Sequence, residues 1–205
     1  MATVGLHNWS RRVGTDQLSD ENDRSDRDAL DAELLAAAIR DRSQFGALYH
    51  RYHPSVYSYC RRRLDEQDAE DATSHIFMQA IGHLESCRAP SFRAWLFTIA
   101  HNVVIDRLRN RKPAIVLDDT LKLATKERSP EDHALQSDLK LRLERAIRAL
   151  PSDQRAAVEL RLAGLTGVEC ARVLGKSPDA TRMLQHRAFG TLRSSLADLS
   201  PGERS

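Results

Sequence analysis

Apolar positions along this chain recur at helical rather than alternating spacing, in blocks separated by polar breaks. The first block uses Leu30, Leu34, Leu35, Ala38 and Ile39, and the second Phe45, Leu48, Tyr49 and Tyr52. Pro54 then predicts a break or kink, because proline disfavours helical geometry in the residue before it. Val56, Tyr59, Cys60 and Leu64 continue the pattern beyond it. A third helix, capped by Asp65 or Asp68, carries Ala69, Ala72, Ile76, Phe77, Ala80, Ile81 and Leu84. After a loop over Glu85 to Pro90, Ser91 caps a fourth helix with Phe92, Leu96, Ile99, Val103 and Leu108 inward. That helix ends in the basic run Arg107 to Lys112, closed by Pro113. Periodicity fades to about His133, resumes at Leu139, Leu143, Ile147 and Leu150, stops at Pro151, and restarts through Val158 and Leu162. No stretch reads as a strand, so the expected fold class is all-α, in two small helical domains on a polar tether.

The segment Leu160 to Leu196 carries the clearest punctuation. Gly164 stands where a helix end needs positive φ. Thr166 and Glu169 follow at capping-box spacing, each side chain reaching the other's backbone amide. The short helix with Val168, Ala171, Val173 and Leu174 ends at Gly175; Ser177 caps the next, and Pro178 takes its first position, where a missing amide costs nothing. That last helix bears Arg182, His186, Arg187 and Arg193, with Asp179 in its first turn, where a carboxylate suits the helix dipole. Two helices on a tight turn, the second basic, form the geometry that lays a recognition helix in a major groove.

Charge sharpens this reading by its placement. The net charge is only +2, yet Asp16 to Glu33 holds eight acidic residues against two arginines. Arg88 to Lys112 holds six basic residues against Asp106 alone. Local patches, not totals, meet phosphate. The polar start of the chain predicts a disordered extension over 1–28. The remaining boundaries fall at 29–112, a linker at 113–135, a second domain at 136–199 and a tail at 200–205. No run is long and apolar enough for a membrane span, and three scattered cysteines (Cys60, Cys87, Cys170) fit a reducing cytoplasm.

Other chemistries find no anchor. Glu70 and Asp71 are adjacent, so on a helix they project about 100° apart and do not converge on one reacting atom. His50 and His53 lack a second ligand pair at metal spacing, and no glycine-rich phosphate loop or nucleophile elbow occurs. No catalytic residue, metal or cofactor is therefore expected. Phe92-Arg93-Ala94-Trp95-Leu96-Phe97 mixes aromatic and basic side chains, a combination that suits unstacked bases and single strands, although the aromatics also suit a core.

In series, these motifs resemble the extracytoplasmic-function (ECF) group of bacterial sigma factors, which keep only sigma regions two and four. Phe45-Gly46-Ala47-Leu48-Tyr49 through Tyr57 looks like the start of region two, and Asp68-Ala69-Glu70-Asp71 like its polymerase-binding helix. Phe92 to Asn102, followed by Asp106 and the basic tail, is close to the group's signature; Leu150 to Arg155 and Ala163 to Ala188 look like region four. Two departures stand out: Ser74-His75 where the group carries a Gln-Glu pair, and Asp179-Ala180-Thr181 with Met183 at the recognition-helix start.

The resemblance implies a division of labour. Asp68, Glu70, Asp71, Ser74, His75 and Gln79 would face the β′ clamp of core RNA polymerase, with region four on the β flap. Arg88, Ser91, Phe92, Arg93, Asn102, Arg107, Arg109 and Arg111 would hold the melted minus-ten strand and capture a flipped base. Lys176, Ser177, Thr181, Arg182, Met183, His186 and Arg187 would meet the minus-thirty-five duplex. The linker would thread the RNA-exit path. A cytoplasmic protein without enzymatic activity or membrane insertion is implied, as is an anti-sigma partner. Two other classes stay open at this point. A stand-alone helix-turn-helix regulator explains 150–197 but not the acidic and aromatic-basic helices before it, and a nucleic-acid hydrolase lacks converging carboxylates.

Overall fold

A computed structural model describes residues 17–87, 91–110 and 141–197. The described residues contain helices and turns and no strand. In chain order the helices are α1 (Gln17–Arg40), α2 (Phe45–Arg61), α3 (Glu66–Gly82), α4 (Phe92–Asn110), α5 (residues 141–148), α6 (Ser152–Leu162), α7 (Gly167–Leu174) and α8 (Pro178–Ala197). The linker expected at 113–135 and the tail lie outside the described residues, as do Arg88 and Arg111.

Two local expectations change. Helix α1 begins at Gln17, inside the segment expected to lack structure. Its polarity suggested disorder, but Gln17 to Arg40 holds no glycine or proline, so nothing in the chain stops a helix that Ala38 anchors in the core. Helix α2 runs on through Pro54, so of the expected break or kink the break is absent. An interior proline removes one helical hydrogen bond and crowds the preceding turn, a cost of about 3 kcal/mol. Here the loss is offset because Tyr52, Val56, Tyr59 and Cys60 are buried on both sides of it. Between α3 and α4 the chain makes a short 3-10 turn over Leu84–Ser86.

The punctuation of the C-terminal half is as expected. Gly164 and Gly175 have φ of 88° and 61°. Thr166 and Glu169 form a complete capping box. The Ala180 amide donates to Ser177 Oγ at 3.1 Å.

Helices α1 to α4 pack as one bundle, with α2 on α1 and α3, and α4 on α3. Its core is built from Leu48, Val56, Tyr59, Ile76, Leu96 and Phe97. The same continuous core takes in Leu160, Leu165, Cys170 and Val173 from α6, the turn after it, and α7. A second, smaller cluster of Ile147, Leu150, Val158, Ala188 and Leu192 seats α8 on α5 and α6. The two halves thus meet along α4 and α7.

Candidate nucleic-acid and polymerase interface

Three surfaces carry the residues singled out by sequence. The first is the start of α3. Asp65 caps it by accepting the Asp68 amide at 2.9 Å. With Ala69, Ala72, Thr73 and Ile76 turned inward, Glu70, Asp71, Ser74 and His75 are left in solvent. His75 Nε2 lies 3.1 Å from Gln79 Nε2, one turn on, and the apolar Met78 beside them is 71% exposed. Asp68 is tied sideways to Arg107 of α4, Nη1 to Oδ1 at 3.4 Å. A carboxylate-rich, solvent-facing strip with an apolar residue at its edge is suited to a basic protein partner.

The second surface is α4, and it is divided. Its outer end is accessible: Asn102 and Arg109 are exposed and Arg107 half-buried. Its inner end is covered: Ser91, Phe92 and Arg93 are 7%, 3% and 7% exposed. Ser91 Oγ accepts the Ala94 amide as the helix cap and donates its own proton to Glu169 of α7. Arg93 Nη1 donates to the Gly164 carbonyl at 2.8 Å. Around Arg93 stand the Tyr52 hydroxyl and the carboxylates of Asp28, Asp31 and Glu169; against the cost of burial, Tyr52 and these charges hold the guanidinium firmly protonated. Tyr52 donates to Asp31, which also pairs with Arg51 at 2.8 Å. Burial pushes the Asp28 carboxyl above its usual range, and Glu169 adds to the effect. Glu169 is itself pulled below the usual range: burial works the other way, but the Ser91 hydroxyl and the Thr166 amide both donate to it.

The third surface is α8. Arg182, Met183, His186 and Arg187 are exposed along it. Arg182 Nη2 pairs with Asp179 Oδ1 at 2.7 Å one turn back, and Lys176 Nζ with Asp153 Oδ2 at 2.9 Å. Ser177 is exposed and serves as cap. Thr181 faces inward with no exposed area, so it supports the turn and is not on the outer face.

Sequence reasoning missed the residues that join the halves. Arg63 Nε pairs with Glu159, and both side chains are essentially removed from solvent, at 4% and 0% exposure. Arg155 Nε holds the other oxygen of Glu159 at 2.8 Å and also donates to the Arg62 carbonyl. One signal was available: Glu159 interrupts the apolar run Ala156-Ala157-Val158 and Leu160. A carboxylate in such a run requires a buried cation.

Comparison with known proteins identifies this arrangement. The Sigma-70 region 2 family model matches residues 48–113 and the Sigma-70, region 4 model residues 140–192. The chain is 32% identical over 178 residues to the ECF RNA polymerase sigma factor SigM of Mycobacterium tuberculosis, covering 84% of this chain and 87% of that protein. It belongs to the ECF sigma factors. Its function is accordingly promoter-directed transcription initiation, and the region 2 match is what a stand-alone helix-turn-helix regulator would lack. Identity reaches 38% over 160 residues with the ECF sigma factor BldN of Streptomyces coelicolor; that alignment covers 75% of this chain but only 61% of BldN. Among solved structures, CnrH in complex with the cytosolic domain of CnrY matches with a TM-score of 0.64 and 26% identity, over 83% of this sigma factor and 99% of that chain. The sigma factor RpoE of Bartonella quintana, solved with the anti-sigma factor NepR, shares the fold at a TM-score of 0.58 and 23% identity, over 75% and 96% of the two chains. Sigma factors as a family are not enzymes, and among the described residues no group of three or more His, Cys, Asp or Glu could hold a metal ion. No helix among them is long and apolar enough to cross a membrane.

Proposed function

We propose that this sigma factor divides promoter recognition among the three surfaces. The exposed strip Glu70, Asp71, Ser74 and His75, with Asp68 and Gln79 at its edges, grips the clamp of core RNA polymerase, while region four rests on the flap. Ser91, Phe92, Arg93, Asn102, Arg107 and Arg109 hold the melted minus-ten strand, joined by Arg88 and Arg111, through stacking and phosphate contacts. On the minus-thirty-five duplex, Arg182, Met183, His186 and Arg187 reach into the major groove from α8, with Lys176 and Ser177 against the backbone.

The observation that carries this reading is the solvent-facing row Arg182, Met183, His186 and Arg187 on the second helix of a fully capped helix-turn-helix. Arg182 and Arg187 stand five residues apart, about 140° round and 7.5 Å along the axis. One therefore reaches base edges while the other takes a phosphate. Catalysis comes from the polymerase, the setting is the cytoplasm, and an anti-sigma protein completes the partners, as the anti-sigma factor NepR does in its complex with RpoE.

The test is reconstitution with core RNA polymerase. Co-elution on size exclusion and promoter-dependent transcripts are expected. Tight duplex binding with no polymerase association and no transcript would overturn the reading.

A further inference from the structure

The inward row of α8 changes character along its length. Thr181, Gln185, Ala188 and Leu192 recur at three- and four-residue spacing, so they share one face of the helix. The second half of that row is apolar: Ala188 and Leu192 pack on Ile147, Leu150 and Val158. The first half is polar, and its polar atoms are unmet. Thr181 Oγ1 and Gln185 Nε2 are out of solvent with no hydrogen-bond partner, and so is Gln154 Oε1 of α6, the helix on which α8 packs. Most buried polar atoms in a folded protein are paired, so orphans on both sides of one seam require a reason.

Their placement supplies one. Gln154 lies one turn before Val158 on α6, and Gln185 one turn before Ala188 on α8. Asp153, beside Gln154, pairs with Lys176 just before α8 begins. The contacts on either side of Gln154 thus both lead to α8. The orphan atoms are complementary: Nε2 of Gln185 is a donor, Oε1 of Gln154 an acceptor, and the Thr181 hydroxyl can be either. They stay unpaired in the free chain because the apolar cluster fixes the second half of α8 on α6. On the α6 side its start is tied by the solvent-facing Lys176–Asp153 pair, which adds little. Arg182 and His186 directly follow Thr181 and Gln185, so any shift of this end carries the outer row with it.

We infer that Gln154, Thr181 and Gln185 are positioning residues for the minus-thirty-five reader: they form a polar seat that is unpaired in the free chain and closes when α8 settles on duplex DNA. The inference rests on the reading of Arg182, Met183, His186 and Arg187 as the duplex-facing row. Contact between that row and the duplex shifts the start of α8 on α6, pivoting on Ala188 and Leu192, and there Gln185 Nε2 donates to Gln154 Oε1. The bond gained inside adds to the contacts made outside, so seat closure and duplex binding favour each other. Sequences on which the outer row sits correctly gain that bond and others do not. The seat therefore contributes to promoter discrimination without touching a base.

The experiment compares the full chain with Gln154→Met/Gln185→Met and Thr181→Val, near-isosteric changes that delete the polar atoms and leave the outer row intact. Far-UV circular dichroism checks helicity. The probe is a fluorescein-labelled duplex, the one most enriched by wild-type holoenzyme from a library with a randomised upstream segment; a scrambled duplex is the control. Apolar side chains suit the free seat better than unpaired polar ones, so the double variant should unfold about 3 °C higher. It should nevertheless bind the selected duplex about fivefold more weakly, having no bond to gain, with scrambled-duplex binding unchanged. Thr181→Val should move both readouts the same way by less. A higher midpoint with undiminished duplex binding makes the three residues packing alone and overturns the seat. A midpoint that does not rise also overturns it, because the polar atoms are then already paired in the free chain. Arg182→Ala separates the two ideas. If it leaves selected-duplex binding intact, the reading of α8 fails; if it weakens binding while the seat variants do not, the seat alone fails.

Discussion

Helices α4 and α8 are both basic, both start at a capped serine or at the residue after one, and both read from sequence as DNA contacts, yet the structure treats them oppositely. The start of α4 is buried on two sides, by the α1–α3 bundle and by α7, while the outer face of α8 meets solvent. The difference lies in what lies across from each. Facing α4 is a second apolar strip with carboxylates placed for its arginine; α8 needs only one face covered, and Ala188 and Leu192 supply it. On the proposed function, α4 with its first turn covered is in a stored state, and α8 with its outer face free is ready for use.

The largest test of that contrast is thermodynamic. Phe97 is fully buried, edge-on to Tyr59 at 5.7 Å, in the core that both halves share. Phe97→Ala should cost ~3–5 kcal/mol in urea unfolding, whereas Leu192→Ala, in the small α8 cluster, should fall near ~2 kcal/mol. Equal losses would mean that α4 is no more central to the fold than α8. Next comes recognition: Arg182→Ala should cost ~1–3 kcal/mol of duplex affinity and alter promoter preference, measured across a panel of minus-thirty-five sequences. A uniform loss across that panel would reassign Arg182 to phosphate.

Smaller still is the effect at α3. Charge reversal of Glu70 and Asp71 together should weaken core polymerase binding about tenfold, near 1.4 kcal/mol, while leaving helicity unchanged. Competition at wild-type strength would move the polymerase contact elsewhere. The subtlest effect is pH dependence within the α4 core. His101 Nδ1 and the Tyr59 hydroxyl share a hydrogen bond at 3.0 Å; burial, with help from Arg63, depresses the His101 pKa from 6.5 to about 4. The unfolded chain therefore binds a proton that the folded chain refuses between those values. Stability contributed by the neutral ring is fully present above pH 6.5 and declines as pH falls toward 4. The thermal midpoint should drop through that window, less steeply in His101→Gln. Identical slopes would show that the ring titrates freely.

Most of the fold was legible because helix punctuation is local. Gly164, the Thr166–Glu169 box, Ser177 and Pro178 act within a few residues of themselves, and each sits as its chemistry requires. Two helical features escaped because tertiary burial overrides local signals. Pro54 is carried through by the apolar residues flanking it, and the polar start of α1 is continuous with a buried end. Within the candidate site, the exposed residues of α3 and α8 follow from which neighbours are apolar. The burial of Ser91 and Arg93 does not, because their partners Glu169 and Gly164 lie 78 and 71 residues away. Glu169 was legible as a cap; its second bond depends on how the halves dock.

The direct measurement is a spin-label distance between the halves. Labels at Arg42→Cys and Ser195→Cys, both exposed positions, in a Cys87→Ser background leave the buried Cys60 and Cys170 in place. The free protein should give one narrow distance distribution, replaced by a longer one when core polymerase and a promoter fragment are added. A broad distribution in the free protein would contradict the closed arrangement of α4 and α7, and an unchanged narrow one in the transcribing complex would contradict their separation on polymerase.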